Sequence, residues 1–303
     1  MIKKELNNDI LAGHLASIQE DGRHIFILNK SNIRCTIVNG STMLNQMRAN
    51  HELNYVDSYV LGEAYLAGAL LCSTLKGEDR IQLTIECGGP IGGVYIEAGA
   101  SGWVRGYLKN HGEESQTEGV IDTNPLYGPG FLSLTKLLED NKTPFSGQVM
   151  LQYGILEKDL QVYFTESEQT PSLFRLSIAY DKDQNIIGAG GIFFQVLPGS
   201  EENALSALDE MKLPSLAQYL AKGGTIEDYV SENFEKEAIH LATTPLAFTC
   251  SCERDNFASY LSRLPRKEKD EILANGPFPL ELVCFNCNSK YEFEKEELIK
   301  LLK

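Results

Sequence analysis

No long apolar run is present in this 303-residue chain: the longest stretch without a charged side chain, Gln184 to Ser200, is seventeen residues and is broken by several glycines and Pro198. A membrane-spanning helix needs about 20 consecutive apolar residues, so none is expected. The apolar segment of a secretory signal is also missing, because Met1-Ile-Lys-Lys-Glu-Leu-Asn-Asn-Asp9 mixes charges and amides. The chain is therefore expected to stay inside the cell. Positive charge is scarce, with 27 Lys and Arg against 42 Asp and Glu and a formal net charge of −15. A nucleic-acid binder draws most of its affinity from cations that displace counterions at phosphates, so this balance argues against one.

Motifs for nucleotide and hydrolytic chemistry are lacking as well. Gly88-Gly-Pro-Ile-Gly-Gly93 and Gly188-Ala-Gly-Gly191 fit neither G-x-x-x-x-G-K-[ST] nor G-x-G-x-x-G, and tight strand turns are the expected role of both. His51-Glu52 has no second histidine at zinc-protease spacing, and Gly99-Ala-Ser-Gly-Trp103 lacks the last glycine of a nucleophile elbow. No internal repeat or low-complexity tract is evident, and no enzyme constellation emerges.

What is present is ample material for a core: 43% hydrophobic, 23% charged and 9% aromatic residues. Such a composition excludes wholesale disorder, and the length suggests two domains. Leu61 to Leu75 is almost uncharged and rich in helix formers, so it is expected to be a buried helix stopped by Lys76-Gly77. Arg80 to Cys87 alternates strictly, with Ile81, Leu83, Ile85 and Cys87 on one face, as in a half-buried strand. Further strands are expected at 94–98, 103–108, 131–137, 147–153, 173–180 and 186–196, and a helix at 155–165 with Leu156, Leu160 and Phe164 four residues apart.

After Leu197-Pro-Gly the character changes. Ser200 is the expected N-cap of a helix holding Leu205, Leu208 and Met211, Pro214 opens a second that stops at Gly223-Gly224, and Thr225 caps a third through Asn233. Nine acids and three bases fall between Ser200 and His240, an acidic helical connector that depends on its neighbours for stability. From Leu246 to Lys303 the charge is nearly balanced, ten acids against nine bases, so the acidity resides upstream. Arg266 to Glu271 reads as a wet helix face and Glu292 to Lys300 as an amphipathic helix.

Seven cysteines in a chain of this kind are more naturally thiols, metal ligands or redox groups than structural disulfides. Cys35, Cys72 and Cys87 lie singly in apolar or alternating segments, as small buried hydrophobes do. Cys250-Ser-Cys252 and Cys284-Phe-Asn-Cys287 form two tight pairs separated by thirty-one residues. Four thiolates in two close pairs can complete a tetrahedral zinc shell with no open position, which is structural rather than hydrolytic. His240, ten residues upstream, is then surplus and is expected to be solvated or packed in the connector. Residues this close can also be bridged by a disulfide, and sulfurs about 3.7 Å apart around zinc cannot at the same time be bonded at about 2.05 Å. Oxidation and metal binding exclude one another. Structural zinc supplies on the order of 10–16 kcal/mol of apparent binding energy, more than a segment under sixty residues can replace from its own core.

These residues are similar to the redox-regulated heat-shock chaperones of the 33 kDa chaperonin family, over nearly the whole chain. The Cys-x-Cys and Cys-x-x-Cys pairs are matched by Cys250, Cys252, Cys284 and Cys287, within Phe248-Thr-Cys-Ser-Cys-Glu-Arg254 and Val283-Cys-Phe-Asn-Cys-Asn-Ser-Lys-Tyr291. Ser73-Thr-Leu-Lys-Gly-Glu-Asp-Arg80, Gly88 to Gly93, Val104-Arg-Gly-Tyr107 and Ser167-Glu-Gln-Thr-Pro-Ser172 also resemble family blocks. Two departures stand out: Asn288 where relatives often have glycine, and Gly128-Pro-Gly-Phe131 where they tend to carry Gly-Lys-Gly.

The resemblance implies an α+β fold: a mixed sheet and helix core domain over 1–197, an acidic helical linker over 198–245 and a small zinc-binding redox-switch domain over 246–303. It implies a cytoplasmic, ATP-independent holdase with no enzymatic activity. One zinc ion is held by Cys250, Cys252, Cys284 and Cys287 in the reduced, inactive form. Under oxidants the pairs Cys250–Cys252 and Cys284–Cys287 become disulfides, zinc leaves, the tail melts, and a homodimer captures unfolding client proteins, with no role for nucleic acid, membrane or ATP. Two other classes compete: a zinc-ribbon nucleic-acid-binding module, disfavoured by the balanced charge of the tail, and a thiol–disulfide oxidoreductase, disfavoured because Cys284 follows the apolar Leu282-Val283 and precedes a turn rather than opening a helix.

Overall fold

The computed structural model describes residues 1–6, 8–28, 31–111, 121–141, 143–201, 203–234 and 238–302. In chain order the elements begin with α1 (Asp9–Ser17), β1 (Gly22–Leu28), β2 (Ile33–Asn39), α2 (Ser41–His51) and α3 (Tyr55–Leu71), the last continued by a short 3-10 turn, Cys72–Thr74. There follow β3 (Arg80–Cys87), β4 (Gly93–Gly99), β5 (Trp103–Leu108), the single turn α4 (Asn124–Tyr127), β6 (Gly130–Leu137), β7 (Phe145–Met150), α5 (Leu156–Glu166), β8 (Ser172–Tyr180) and β9 (Ile186–Val196). Three short helices come next, α6 (Ala204–Glu210), α7 (Leu216–Ala221) and α8 (Ile226–Asn233), then β10 (Ile239–Pro245) and β11 (Ala247–Phe248). The tail carries α9 (Arg254–Ser262), α10 (Arg266–Asn275), β12 (Leu280–Val283), β13 (Lys290–Phe293) and α11 (Lys295–Leu301). The fold is α+β, as expected.

Helix α3 is the centre of the molecule. Fifteen of its residues are buried, the pattern of a helix that is apolar all round and therefore enclosed on every side. The Asn54 side chain accepts from the Asp57 N–H and caps it, so the helix begins at Tyr55, six residues before the start read from the sequence, and the regular helix ends at Leu71 rather than Leu75. On one side lies a six-stranded sheet, ordered β11-β5-β4-β3-β6-β7, whose inner face presents Ile81, Leu83, Ile85, Val94, Ile96, Leu132 and Leu134. On the other lies a five-stranded sheet, β10-β1-β2-β9-β8, whose Val38, Phe174 and Phe193 face α3. Gly68 makes close approach possible, since a Cβ there would lie 2.8 Å from the Ile96 side chain.

The opposite face of the five-stranded sheet is also apolar: Phe26, Leu28, Ile33, Cys35, Ile37, Ile192 and Phe194. It is covered by Ala204 and Leu208 of α6, Leu216 and Leu220 of α7, and Ile226, Tyr229 and Val230 of α8. Two expectations are corrected here. Gly188-Ala-Gly-Gly191 is not a turn but the middle of β9, where the missing side chains seat α7: a Cβ on Gly188 would meet the Ala217 carbonyl oxygen at 2.2 Å, and one on Gly190 the Leu216 side chain at 2.7 Å. Ser200 does not cap α6, because its hydroxyl donates to the carbonyls of Asn32 and Leu197 and the residue preceding α6 is Asn203, which makes no side-chain cap. Thr225 does cap α8, accepting from the Asp228 N–H.

The acidic segment is not helical throughout. It closes in β10, antiparallel to β1 at the edge of the five-stranded sheet, and chain continuity then carries it through β11, which pairs parallel to β5 of the other sheet. In the tail, 290–293 is a strand and helix begins only at Lys295, which corrects the longer helix read from Glu292. Helix α10 buries none of its residues, in keeping with a wet face. Cys35 and Cys72 are buried and Cys87 half-buried, as small hydrophobes. Among the described residues no helix is long and apolar enough to cross a membrane.

Candidate metal centre

The four C-terminal cysteines meet at the junction of the six-stranded sheet and the tail. The parallel register Ala247↔Trp103 and Phe248↔Val104, extended by the Thr249 N–H donating to the Val104 carbonyl at 3.1 Å, delivers Cys250 just beyond the edge of β5. The β12–β13 hairpin delivers the other pair from its connecting turn. Within that turn the Cys287 and Asn288 N–H groups donate to the Cys284 carbonyl at 3.2 and 2.7 Å, and the Cys284 N–H donates to Ser289 at 2.9 Å.

This turn explains the first departure from the family pattern. Asn288 has φ of +53°, left-handed backbone that glycine adopts freely and asparagine tolerates better than other side chains. Asparagine adds something glycine cannot, because its Nδ2 donates to the Asn50 carbonyl of α2 at 2.9 Å. The second departure also falls at a turn, with Gly128 at φ +61° after α4.

All four sulfurs lie within 4.8 Å of one another. Cys250 Sγ is 3.8 Å from Cys284 Sγ, and Cys252 Sγ is 3.3 Å from Cys287 Sγ. None is in a disulfide. A tetrahedral shell with zinc–sulfur bonds of about 2.3 Å has edges of about 3.7 Å, so the sulfurs are spaced as a shared ion requires. Cys250 and Cys287 are buried, Cys252 and Cys284 half-buried. The donor set, four soft thiols with no carboxylate, suits zinc and offers no open position for hydrolysis.

Electrostatics make the same point. Hydrogen bonds from Cys284 and Cys287, the Cys252 N–H and the nearby Arg105 pull the Cys250 thiol far below its ordinary range. The thiol of Cys284 is pushed well up by its hydrogen bond to Cys250, and that of Cys287 up to about 11, the Cys250 contact being the largest cause. Among these three sulfurs the thiolate form is favoured at Cys250 and disfavoured at Cys284 and Cys287. A cation placed among them would offset the mutual repulsion of their thiolates.

Several residues that the sequence pattern did not single out hold the cluster in place. Tyr291 Oη donates to the Cys252 carbonyl at 3.0 Å and touches its sulfur at 3.4 Å, while Ser289 Oγ lies 3.2 Å from Cys287 Sγ. Arg105 on β5 reaches Cys250 Sγ at 3.6 Å and Ser251 Oγ at 3.1 Å, its other face locked to the buried Glu97 at 2.6 and 2.9 Å. Fully buried Asn50 donates to the Cys287 carbonyl at 3.0 Å. Arg105 and Tyr291 fall inside blocks already noted, but nothing local in the sequence marks Asn50, whose role arises only when α2 meets the tail.

His240 is not near the cysteines' partners. It is exposed on β10, with Nε2 2.9 Å from Thr243 Oγ1 and its ring 5.0 Å from that of Phe26.

Comparison with known proteins decides the family. The family model described as Hsp33 protein matches residues 21–294. The chain belongs to the Hsp33 family. The 33 kDa chaperonin of Bacillus velezensis is 34% identical over 276 residues, covering 89% of this chain and 94% of that protein. The 33 kDa chaperonin of Agathobacter rectalis is 33% identical over 274 residues, covering 88% and 94%. The crystal structure of the 33 kDa chaperonin from Thermotoga maritima superimposes with a TM-score of 0.83 at 30% identity, covering 94% of this chain and 98% of that one. Hsp33 relatives carry the names of chaperones, and four close cysteines able to hold a metal ion are a feature of this chain's own structure.

Proposed function

We propose that this Hsp33 protein is a cytoplasmic, ATP-independent holdase switched by oxidation, with zinc held by Cys250, Cys252, Cys284 and Cys287 in the resting form. The observation that carries the reading is the four-thiol cluster itself, free of disulfides, at the root of a tail with little core of its own. That core consists of Leu261, Tyr291, Phe293, Leu298 and Leu302 with half-buried neighbours. When bound, zinc would neutralise four thiolates and tie β12–β13 to the segment after β11, which is folding energy for the tail.

The switch is a change of partner for each sulfur. Cys250 with Cys252, and Cys284 with Cys287, each give up two electrons to an oxidant such as peroxide, which takes up two protons and leaves as two waters while a disulfide forms. Sulfurs so bonded are no longer thiolate ligands. The tail over 246–303 then loses its main cross-link, and the preceding connector, 198–245, loses the anchored end that β10 and β11 provide. Helices α6 to α8 cover one whole apolar sheet face, so their release bares Phe26, Ile33, Ile37, Ile192 and Phe194 for unfolding clients. The active form is a homodimer in this reading.

Cations around the cluster give no support to nucleic-acid binding, because each is spoken for: Arg105 by Glu97 at 2.6 Å, Arg254 by Glu297 at 2.6 Å and Lys290 by Glu281 at 3.4 Å. The test is light scattering of a heat-denaturing client with reduced and with peroxide-treated protein. Suppression by the oxidised form alone is expected. Equal suppression by both forms would remove the redox switch, and suppression by neither would remove the chaperone.

A further inference from the structure

A second group of metal-binding side chains is separate from the four cysteines: His24 on β1, His240 on β10 and Glu227 in the first turn of α8, with one ligand atom from each all within 4.8 Å of one another. We propose that His24, His240 and Glu227 form a divalent transition-metal site, of the kind that takes zinc or cobalt, which clamps the connector helix α8 onto the five-stranded sheet.

The local fold is arranged to bring these groups together. Along β1 and β10 the register runs His24↔Thr243 and Ile25↔Ala242, then slips so that Phe26 faces His240. The extra residue, Leu241, is bulged out and exposed. Without the slip, Leu241 would share the face of His24 and Phe26, and His240 would point the other way. A bulge that re-aims one side chain beside a polar cluster is a recurring feature of functional sites. His24 itself is buried, unlike an ordinary surface histidine.

The donors are already held close together. Glu227 Oε1 lies 3.0 Å from His24 Nδ1, and Thr243 Oγ1 bridges the imidazoles at 3.2 Å from His24 Nδ1 and 2.9 Å from His240 Nε2. The other carboxylate oxygen accepts from Gln19 Nε2 at 3.0 Å, and Gln19 Oε1 accepts from the Ile226 N–H at 2.8 Å, so one amide fixes both the carboxylate and the start of its helix. Outer contacts of this type are what hold metal ligands in register. Two imidazole nitrogens and a carboxylate, with room for water on the exposed side of His240 and Glu227, match borderline cations rather than calcium or magnesium. Binding requires only that His24 carry its ring proton on Nε2 and that His240 and Glu227, both exposed, swing inward.

The experiment uses full-length reduced protein whose cysteine cluster is saturated with zinc, titrated with Co²⁺ by calorimetry and by absorption. One further equivalent is expected, without the thiolate charge-transfer absorption that cobalt on cysteine sulfur gives. His240→Ala and Glu227→Gln are each expected to weaken that uptake by about tenfold or more, as loss of a ligand or its support does. Both positions are exposed, so the variants keep the fold, which unchanged circular dichroism verifies. Co²⁺ is also expected to slow proteolysis of the connector in the wild-type protein and not in the double variant. No uptake beyond the cysteine cluster, uptake showing thiolate absorption, or uptake unchanged in the double variant would overturn the proposal.

Discussion

At the scale of single residues the chemistry of the site is set by four sulfurs and by the few polar groups that hold them. Cys250→Ser replaces a soft thiol donor with a hydroxyl that stays protonated, so zinc affinity is expected to fall by orders of magnitude and the tail to unfold in the reduced protein. Equilibrium dialysis and protease sensitivity of residues beyond Leu246 check this. Asn288→Val places a β-branched side chain at φ +53° and removes the bond to Asn50. The backbone strain alone is about 1–2 kcal/mol. A lowered melting temperature is expected for that variant, while Asn288→Gly stays closer to wild type because glycine relieves the strain and forfeits only the hydrogen bond.

A buried carboxyl away from the cysteines makes a pH prediction. Burial raises the Glu63 pKa from 4.5 to about 8, the Tyr59 hydroxyl bonded to it opposing the shift. Between those values the folded chain keeps a proton that the unfolded chain has released, so stability falls as pH rises through that window. Glu63→Gln removes the titration. The variant is expected to gain on wild type by up to a few kcal/mol as pH goes from 5 to 9 in denaturant unfolding, and a difference that stays constant with pH would refute this.

Among elements, the contact between α7 and β9 is the most exposed to test. Gly188→Ala puts a methyl against the Ala217 carbonyl oxygen, where a Cβ would sit at 2.2 Å, so α7 must lift. Overpacking of this kind costs about 1–3 kcal/mol. The reduced variant is expected to bind an apolar dye that the reduced wild type excludes; equal dye binding by the two would show that α7 is not held by this contact. The same glycines show what a sequence conveys and what it does not. Strict alternation identified β3, and a long uncharged stretch identified α3, because in both the burial pattern is local. Gly188 to Gly191 looks like a turn locally, and only the helix lying across it explains why the strand lacks side chains. Strands β1 and β2 and helices α1 and α2 announce themselves poorly because β2 is largely buried on both faces, polar Thr36 and Asn39 included, and α1 is short and weakly sided. Strand β10 exposes nearly every residue, so no alternation marks it.

For the whole molecule, the cysteine cluster was legible because spacing and chemistry are both in the sequence, whereas its clasp was not, because Asn50 and Arg105 reach it from distant segments. The arrangement as a whole is a chain of dependence. A small-cored tail leans on the sulfur cluster, the connector leans on the tail and on two glycine gaps, and a sheet face leans on the connector for cover. In the proposed switch, the net charge of −15 would keep such a molecule dispersed while that face is bare.

The most direct test of this dependence is the zinc content of full-length Glu227→Gln, His240→Ala protein, in which the cysteines are the remaining site, before and after peroxide at raised temperature. One ion per chain in the reduced form is expected, almost none once Cys250, Cys252, Cys284 and Cys287 are oxidised, and recovery on reduction with added zinc. Zinc retained by a chain whose four cysteines are all in disulfides would contradict the account.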